Sequence, residues 1–131
     1  MAFELFKSDN GSGYAIEYLP AGAITPKFGM ALTQSSGKLA IATGTTKPTY
    51  ISLREESAAL TAGDIIPVLR INPDMIFRTT FSATATSINL GDKVTLHASS
   101  GLQVTATTTS GVAEVVGIDD SASGGVCYVR F

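Results

Sequence analysis

The feature that most constrains the fold is the near absence of helical periodicity. Apolar residues almost nowhere recur at 3.6-residue spacing over the length that a stable helix needs. Short runs rich in Val, Ile, Thr, Tyr and Phe recur instead, separated by Gly, Ser, Asn and Pro. The one helical candidate is about a single turn at Ser57–Leu60, which Gly63 ends. The pattern predicts an all-β protein with strands at Ala15–Leu19, Phe28–Thr33, Leu39–Thr43, Tyr50–Leu53, Ile65–Ile71, Met75–Ser82, Lys93–Ala98, Gln103–Thr107, Ala113–Ile118 and Val126–Phe131.

Two stretches of the chain resemble each other. "ALTQSSGKLAIATGTT" begins at Ala31 and "TLHASSGLQVTATTT" begins at Thr95. Superposing the two "SSG" turns gives an offset of 64 (99 minus 35), close to half of the 131 residues. The repeat predicts two small related β-barrel or sandwich units in tandem, β unit 1 at 28–71 and β unit 2 at 91–131, joined by a connecting hairpin or linker at 72–90. The alternative is two unrelated hairpins that share turn chemistry.

Residues 1–27 fit neither unit. They combine the polar stretch "SDNGSG" with several apolar side chains. A segment that orders on binding needs such anchors to offset about 1–2 kcal/mol of backbone entropy per residue. We therefore expect an extended N-terminal arm that binds a partner, and this interpretation requires its apolar side chains to lie outside the protein's own core. The alternative is a strand that completes a sheet. The candidate partner-binding residues are Phe3, Leu5, Phe6, Tyr14 and Tyr18.

The composition predicts assembly with other proteins. Only 15% of the residues are charged and the mean hydropathy is +0.26, while about 25% charged residues is typical. Large apolar patches are uncommon on monomers, so we expect a homo-oligomer. The net charge of −2 and the scattered Lys and Arg residues argue against nucleic acid as a partner. No apolar run has the length of a membrane span, and no secretory signal is evident, so we expect no membrane partner and synthesis in the cytoplasm.

No residue pattern indicates catalysis, a metal or a cofactor. His97 is the only histidine and Cys127 the only cysteine, so neither a zinc site nor an internal disulfide is expected. We interpret His97 as a strand residue beside a turn, and Cys127 as a buried, inert thiol. The adjacent pairs Glu55-Glu56 and Asp119-Asp120 are better explained by capping and solubility than by acid–base chemistry. The sequence therefore predicts a protein that is not an enzyme, with no catalytic residue, no metal ligand and no cofactor.

The second half of the chain contains "GDKVTL", then a hairpin, then "TTTSGVAEVVGIDDSASGGVCYVRF". This order resembles the capsid decoration (head-stabilising, cement) proteins of tailed phages, and "TTKPTYISL" followed by "AGDIIPVLRI" is similar with a longer loop. The likeness covers about Phe28–Phe131. It implies a non-enzymatic virion structural protein, made in the bacterial host cytoplasm, that binds the major capsid protein on the capsid exterior, often as a trimer, with its N-terminal segment on the shell.

A second function class stays open at this point. It is an adhesive or ligand-binding β module, of the kind found in a phage tail or a cell-surface appendage. Modules that bind sugars usually expose aromatic side chains on which the sugar stacks. This chain has no Trp, and the pattern places most of its Tyr and Phe inside apolar strands. The decoration function is therefore favoured.

Overall fold

The computed structural model describes residues 2–8 and 15–131, and within these ranges every regular element is a strand. The strands form two five-stranded antiparallel sheets. The strands are β1 (Glu4–Ser8), β2 (Ile16–Pro20), β3 (Ala31–Ser35), β4 (Lys38–Ile41), β5 (Tyr50–Ser52), β6 (Ile65–Arg70), β7 (Met75–Thr80), β8 (Lys93–Val94), β9 (Ala113–Ile118) and β10 (Val126–Arg130). Sheet A has the order β1-β7-β10-β9-β8, and sheet B has the order β2-β6-β5-β3-β4.

The all-β prediction is confirmed, and most predicted strands agree with the structure to within a few residues. The strand predicted at Lys93–Ala98 is shorter, and the one predicted at Gln103–Thr107 is reduced to isolated bridges through Val104. Ser57–Leu60 forms no helix, because a single turn does not repay the cost of helix nucleation. The sequence pattern missed β1 altogether.

The two halves of the chain follow the same strand order. Four neighbouring strands of sheet B have the order β2-β6-β5-β3, and four of sheet A have the order β7-β10-β9-β8. In each half, the first strand pairs with the last strand, the last strand pairs with the second-to-last strand, and the second-to-last strand pairs with the second strand. The register also agrees: Pro20 lies opposite Ile65 in sheet B, and Thr80 lies opposite Val126 in sheet A. In both halves the residue after the first strand makes a parallel bridge, Ala21 to Leu39 and Phe81 to Val104.

The turns differ between the halves. Ser36 and Gly37 both have positive φ, 52° and 78°, which is the geometry of a tight hairpin turn between β3 and β4. Gly101, in the second "SSG", is buried instead, and its carbonyl accepts a hydrogen bond from the Ala31 amide at 2.8 Å. A Cβ at position 101 would lie 2.8 Å from Ile41 Cγ2, so this turn packs against sheet B as only glycine can.

The core consists of two clusters. The larger cluster joins the inner face of sheet A to the outer face of sheet B, and its largest buried side chains are Phe3, Met75, Phe77, Phe81, Val94, Leu96, Val104 and Val115, with Ile51 and Leu69 contributed by sheet B. The smaller cluster fills the inner side of sheet B with Ala21, Met30, Leu32, Leu39, Tyr50, Ile66 and Val68. Sheet B thus contributes buried apolar side chains from both of its faces.

The described parts of the N-terminal segment contain two strands. Within the described residues of 1–27, β1 pairs with β7 and β2 pairs with β6, so both belong to the sheets. The Phe3 side chain is 1% exposed and lies in the larger core cluster, Leu5 is half-buried, and Phe6 is 57% exposed, so only part of the segment is core and its role as a partner-binding arm stays a prediction. The physical reason is that Phe3 finds apolar partners in its own chain, with its ring centroid 5.5 Å from that of Phe131.

Gly29 allows this docking. The Phe3 amide donates to the Gly29 carbonyl at 2.9 Å, and the Gly29 amide donates to the Ser52 carbonyl at 2.8 Å. Gly29 has a φ of +82°, and a Cβ there would lie 2.6 Å from the Ala2 Cβ. The start of the chain therefore lies directly against a backbone position where a side chain would be both strained and obstructed.

Phe3→Ala tests the assignment of the N-terminal segment to the core. Replacing a buried Phe by Ala costs about 3–5 kcal/mol, so the free energy of unfolding should fall by that amount in urea denaturation. Phe6→Ala is the matched control, because Phe6 is exposed and its ring contact with Tyr128 accounts for about 1 kcal/mol. Equal, small losses for the two variants would mean that the segment is not part of the core.

Candidate binding surface

An apolar groove lies where the edge of sheet A meets the outer face of sheet B. Its volume is about 390 Å³. Glu4 is the one charged side chain in its lining, and Glu4 Oε2 lies 3.3 Å from Nη1 of Arg78. The lining residues come from the start of both N-terminal strands, from the loop before β3 and from β5, β6 and β7: Phe3, Glu4, Leu5, Ile16, Phe28, Ile51, Leu53, Leu69 and Phe77. The arrangement can bind an apolar side chain or segment.

Phe28 at the rim of the groove is held by an ionic contact. Its amide donates to Glu55 Oε1 at 2.9 Å, and Lys27 Nζ lies 3.3 Å from Glu55 Oε2. The Lys27 ammonium also donates to the Glu56 carbonyl at 3.0 Å. Phe28 itself remains 55% exposed, which is high for a Phe. The polar contacts therefore fix the backbone of the rim and leave the ring available.

The same contacts shift the titration of Glu55. The Phe28 amide, and after it the Lys27 ammonium, hold the pKa of Glu55 below its usual value, and they outweigh the opposing desolvation. The carboxylate is thus charged at neutral pH, with its two oxygens committed to Phe28 and Lys27.

The apolar surface continues from the groove along the outer face of sheet B. Tyr18 of β2 lies opposite Pro67 of β6, and Pro20 lies opposite Ile65. Tyr18 is 70% exposed and Ile65 is 56% exposed. With Ile16, which lines the groove, these residues form one apolar strip on β2 and β6, called here the β2 strip: Ile16, Tyr18, Pro20, Ile65 and Pro67.

The structure separates the residues predicted from the sequence to bind a partner. Phe3 and Leu5 both line the groove, Phe3 as a buried wall and Leu5 as a half-buried one. Phe6 faces the other side of sheet A, with its ring centroid 4.8 Å from that of Tyr128. Tyr18 belongs to the β2 strip, and Tyr14 lies outside the described residues. A partner-binding role for these residues stays a prediction.

Sequence reasoning missed Phe28 and Ile65 as surface residues. Phe28 was assigned to a strand, but it lies in a turn ahead of β3. The sequence did indicate a turn here, since Pro26 and Gly29 flank Phe28 and both residue types interrupt strands. Ile65 carried no such signal, because only the packing of β6 decides which of its faces is covered.

A second concave region, between the ends of the two sheets, is of mixed charge. Lys47, Lys93, Glu114 and Arg130 are among its lining residues. Arg130 Nε lies 3.2 Å from Glu114 Oε1, and this contact holds the pKa of Glu114 below its usual value. The positive charge of this region is therefore partly neutralised by Glu114, one of its own lining residues.

The single histidine lies beside a turn and the single cysteine lies in the core. His97 Nδ1 accepts a hydrogen bond from the Ser100 amide at 3.2 Å, so the imidazole caps the turn that follows it. Cys127 is buried among apolar side chains of sheet A, and this burial raises the pKa of its thiol to about 12. Among residues 2–8 and 15–131, no three His, Cys, Asp or Glu side chains are placed to share a metal ion.

Neither a protein-family model nor a curated protein matches this chain. The described ranges contain no helix with the length and apolarity needed to cross a bilayer.

The Phe28 amide should report the titration of Glu55. Because the folded-state pKa of Glu55 is lowered, the contact contributes stability above the pKa of the unfolded state and is lost as pH falls through the folded value. In an NMR titration, the Phe28 amide shift should move with a midpoint below 4.5, the ordinary glutamate value. Glu55→Gln should abolish this movement while Glu56→Gln leaves it in place. Titration of the Phe28 amide at or above the ordinary value would contradict the assigned contact.

Proposed function

We propose that this chain is a non-enzymatic structural protein that binds other protein surfaces, and specifically a decoration protein that binds the exterior of a phage capsid and stabilises it. The observation that carries the proposal is the exposed apolar surface formed by the groove, Phe28 at its rim and the β2 strip. The resemblance of the sequence to tailed-phage decoration proteins supplies the specific partner, the major capsid protein, and the location on the virion.

The energetics favour a partner over this surface. Fully burying one large apolar side chain contributes about 1.5–3 kcal/mol. Phe28, Tyr18 and Ile65 are each more than half exposed, so most of that free energy is not gained by the chain alone. A shell that presents many identical sites adds weak contacts by multivalency. A protein bound in many copies therefore needs only a modest apolar contact at each site.

The proposal includes self-association and an internal duplication. Self-association would cover more of the apolar surface that the low charge content leaves exposed. The shared strand order, register and parallel bridges support two related units in tandem. In each unit the sheet would curl because the residue after the first strand bridges a later segment of the same unit, Ala21 to Leu39 and Phe81 to Val104. On this view the first strand of each unit is β2 or β7, so the units start earlier than residues 28 and 91.

One observation favours the second candidate function, a ligand-binding or adhesive module. Phe6, Tyr18 and Phe28 are exposed, although the sequence pattern placed most Phe and Tyr inside strands. Exposed aromatic rings are the surfaces on which sugars stack. A glycan array with the purified protein tests this candidate directly, and specific binding that Tyr18→Ala or Phe28→Ala removes would establish it.

The decoration function predicts that a gene beside this one encodes a major capsid protein, and it is tested with that protein. Shells assembled from that protein should retain the chain during sedimentation through a density gradient, and they should resist heat better with it than without it. Phe28→Asp should weaken retention at least tenfold, about 1.4 kcal/mol, because it places a charge in the contact.

Leu90→Asp is the matched control. Leu90 is an exposed apolar residue that belongs to neither the groove nor the β2 strip, so its substitution should leave retention unchanged. The absence of a neighbouring capsid gene, or shells that never retain the chain, would contradict the decoration function.

A further inference from the structure

Two segments of the chain pair in succession along one edge of β7. β1 adds antiparallel to the first part of this edge, where it lies opposite Ile76 and Arg78. Past the end of β7, the segment at Val104 replaces β1 as the neighbour. The Ser82 amide donates to the Val104 carbonyl at 2.8 Å, and Phe81 makes a parallel bridge to the same residue.

The corresponding edge of β2 has only one of these two neighbours. β4 takes the place of the Val104 segment, because Ala21 makes a parallel bridge to Leu39 and the Gly22 amide donates to the Leu39 carbonyl at 2.9 Å. The last part of this edge is therefore occupied. Along its first part, at Ile16 and Tyr18, no described strand pairs with β2.

The unpaired part of β2 corresponds to the part of β7 that binds β1. Ala21 and Phe81 hold equivalent positions, since each follows the first strand of its half and makes the parallel bridge. Counting back three residues from them gives Tyr18 and Arg78, and counting back five gives an isoleucine in both halves. The vacant site on β2 is therefore the equivalent of the site that β1 occupies on β7.

The backbone groups of Ile16 and Tyr18 point to this vacant site. The Ala15 carbonyl accepts a hydrogen bond from the Arg70 amide at 2.9 Å, so it points towards β6. Backbone groups alternate in direction along an antiparallel strand, and those of Ile16 and Tyr18 consequently point away from β6. Both side chains are more than half exposed, so this part of the edge is open to a partner.

We propose that an extended segment of the protein partner adds antiparallel to β2 at Ile16 and Tyr18, in the place that β1 takes on β7. Three consecutive residues of the segment are enough, because its first and third residues each exchange a pair of backbone hydrogen bonds with the edge. This strand addition rests on the proposed function for the identity of the partner. It adds main-chain contacts to the apolar surface already described.

The surroundings of the edge define the side chains of the added segment. Residues directly opposite each other on paired strands share a face of the sheet, so the residue opposite Ile16 lies beside the groove that Ile16 lines. On β7, Arg78 is matched by Glu4, whose Oε2 lies 3.3 Å from Nη1 of the arginine. Tyr18 offers no such charge. The segment therefore resembles β1 in form, with apolar residues at alternate positions.

A second copy of this chain is not the expected occupant, because the chain already uses its own β1 on β7. Phe3, directly before β1, is buried in the core, and its amide donates to the Gly29 carbonyl at 2.9 Å. Moving β1 to a neighbouring copy would expose Phe3 and leave β7 with the same vacancy. Such an exchange fills one site by opening another, so the segment must come from a different protein.

The synthetic peptide AFVLFKS, which is residues 2–8 of this chain with Glu4→Val, is the probe for the site. In NMR spectra of the full chain it should shift the Ile16 and Tyr18 amide signals and slow their hydrogen exchange about tenfold. The same peptide with its Val nitrogen methylated should not, because methylation removes the donor that faces Tyr18. Equal effects of the two peptides, or shifts at Arg78 through displacement of β1, would overturn the proposal.

Tyr18→Pro separates main-chain pairing from side-chain contact. Proline removes the donor on the free edge and keeps the ladder to β6, as Pro20 does two residues later. Peptide binding should be at least about tenfold weaker in Tyr18→Pro than in Tyr18→Ala, which loses the ring but keeps the donor. Equal losses in the two variants would contradict strand addition. The methylated peptide makes the same comparison on the native chain, so the test does not depend on the folding of the proline variant.

Hydrogen exchange of the chain without peptide tests whether the edge is vacant. The Tyr18 amide should exchange at least about tenfold faster than the Arg78 amide, which β1 covers in the other half. Slow exchange at Tyr18 at every protein concentration would mean that the chain itself covers the edge. Protection that increases with concentration would assign the edge to a second copy, and either result overturns the proposal.

The peptide also distinguishes strand addition from the proposed function. It is no part of a capsid, so its binding does not depend on whether shells retain the chain. Shells that retain the chain although the peptide does not bind would support the decoration function and overturn strand addition. Peptide binding without retention by shells would support strand addition and contradict the capsid as the partner.

Discussion

The contact between sheet A and sheet B is the interaction on which the rest of the structure depends. Both sheets contribute to one apolar cluster, in which Phe77 packs against Phe131 with ring centroids 5.7 Å apart. Phe3 joins the same aromatic group, with its ring centroid 5.5 Å from that of Phe131. This burial fixes β1 on the edge of β7, and the position of β1 in turn forms one wall of the groove. The exposed apolar surface is therefore a consequence of how the two sheets meet.

The two halves share a strand order but have opposite surfaces. Arg78 and Arg130 on the outer face of sheet A each lie within 3.3 Å of a glutamate, Glu4 and Glu114 respectively. The corresponding positions in sheet B are Tyr18 and Leu69. The outer face of sheet A thus presents paired charges to water. The outer face of sheet B presents apolar side chains to sheet A, to the groove or to solvent. The same backbone arrangement supports both, because the ladder itself is formed by main-chain hydrogen bonds.

Local pattern was enough to predict the all-β class and most strands, because alternating apolar residues and turn residues act over a few positions. Ala113–Ile118 agrees with the structure at both ends. β1 could not be predicted in this way, since "ELFKS" has little alternation and is held by β7, about seventy positions away in sequence. The groove was predicted only in part: Phe3 and Leu5 were named, but the exposure of Phe28 depends on contacts between distant segments.

The meeting of Phe3 and Phe131 has a consequence for folding during synthesis. The two rings are separated in sequence by almost the whole described chain. The amide of Phe3 donates to the carbonyl of Gly29, which is synthesised early, whereas the Phe3 ring packs against Phe131, which is synthesised much later. Such long-range contacts close slowly, because the entropy of a large loop must be lost before they form. On the ribosome, sheet B is complete in sequence at Arg70, whereas the larger core closes only after the last strand of sheet A has emerged.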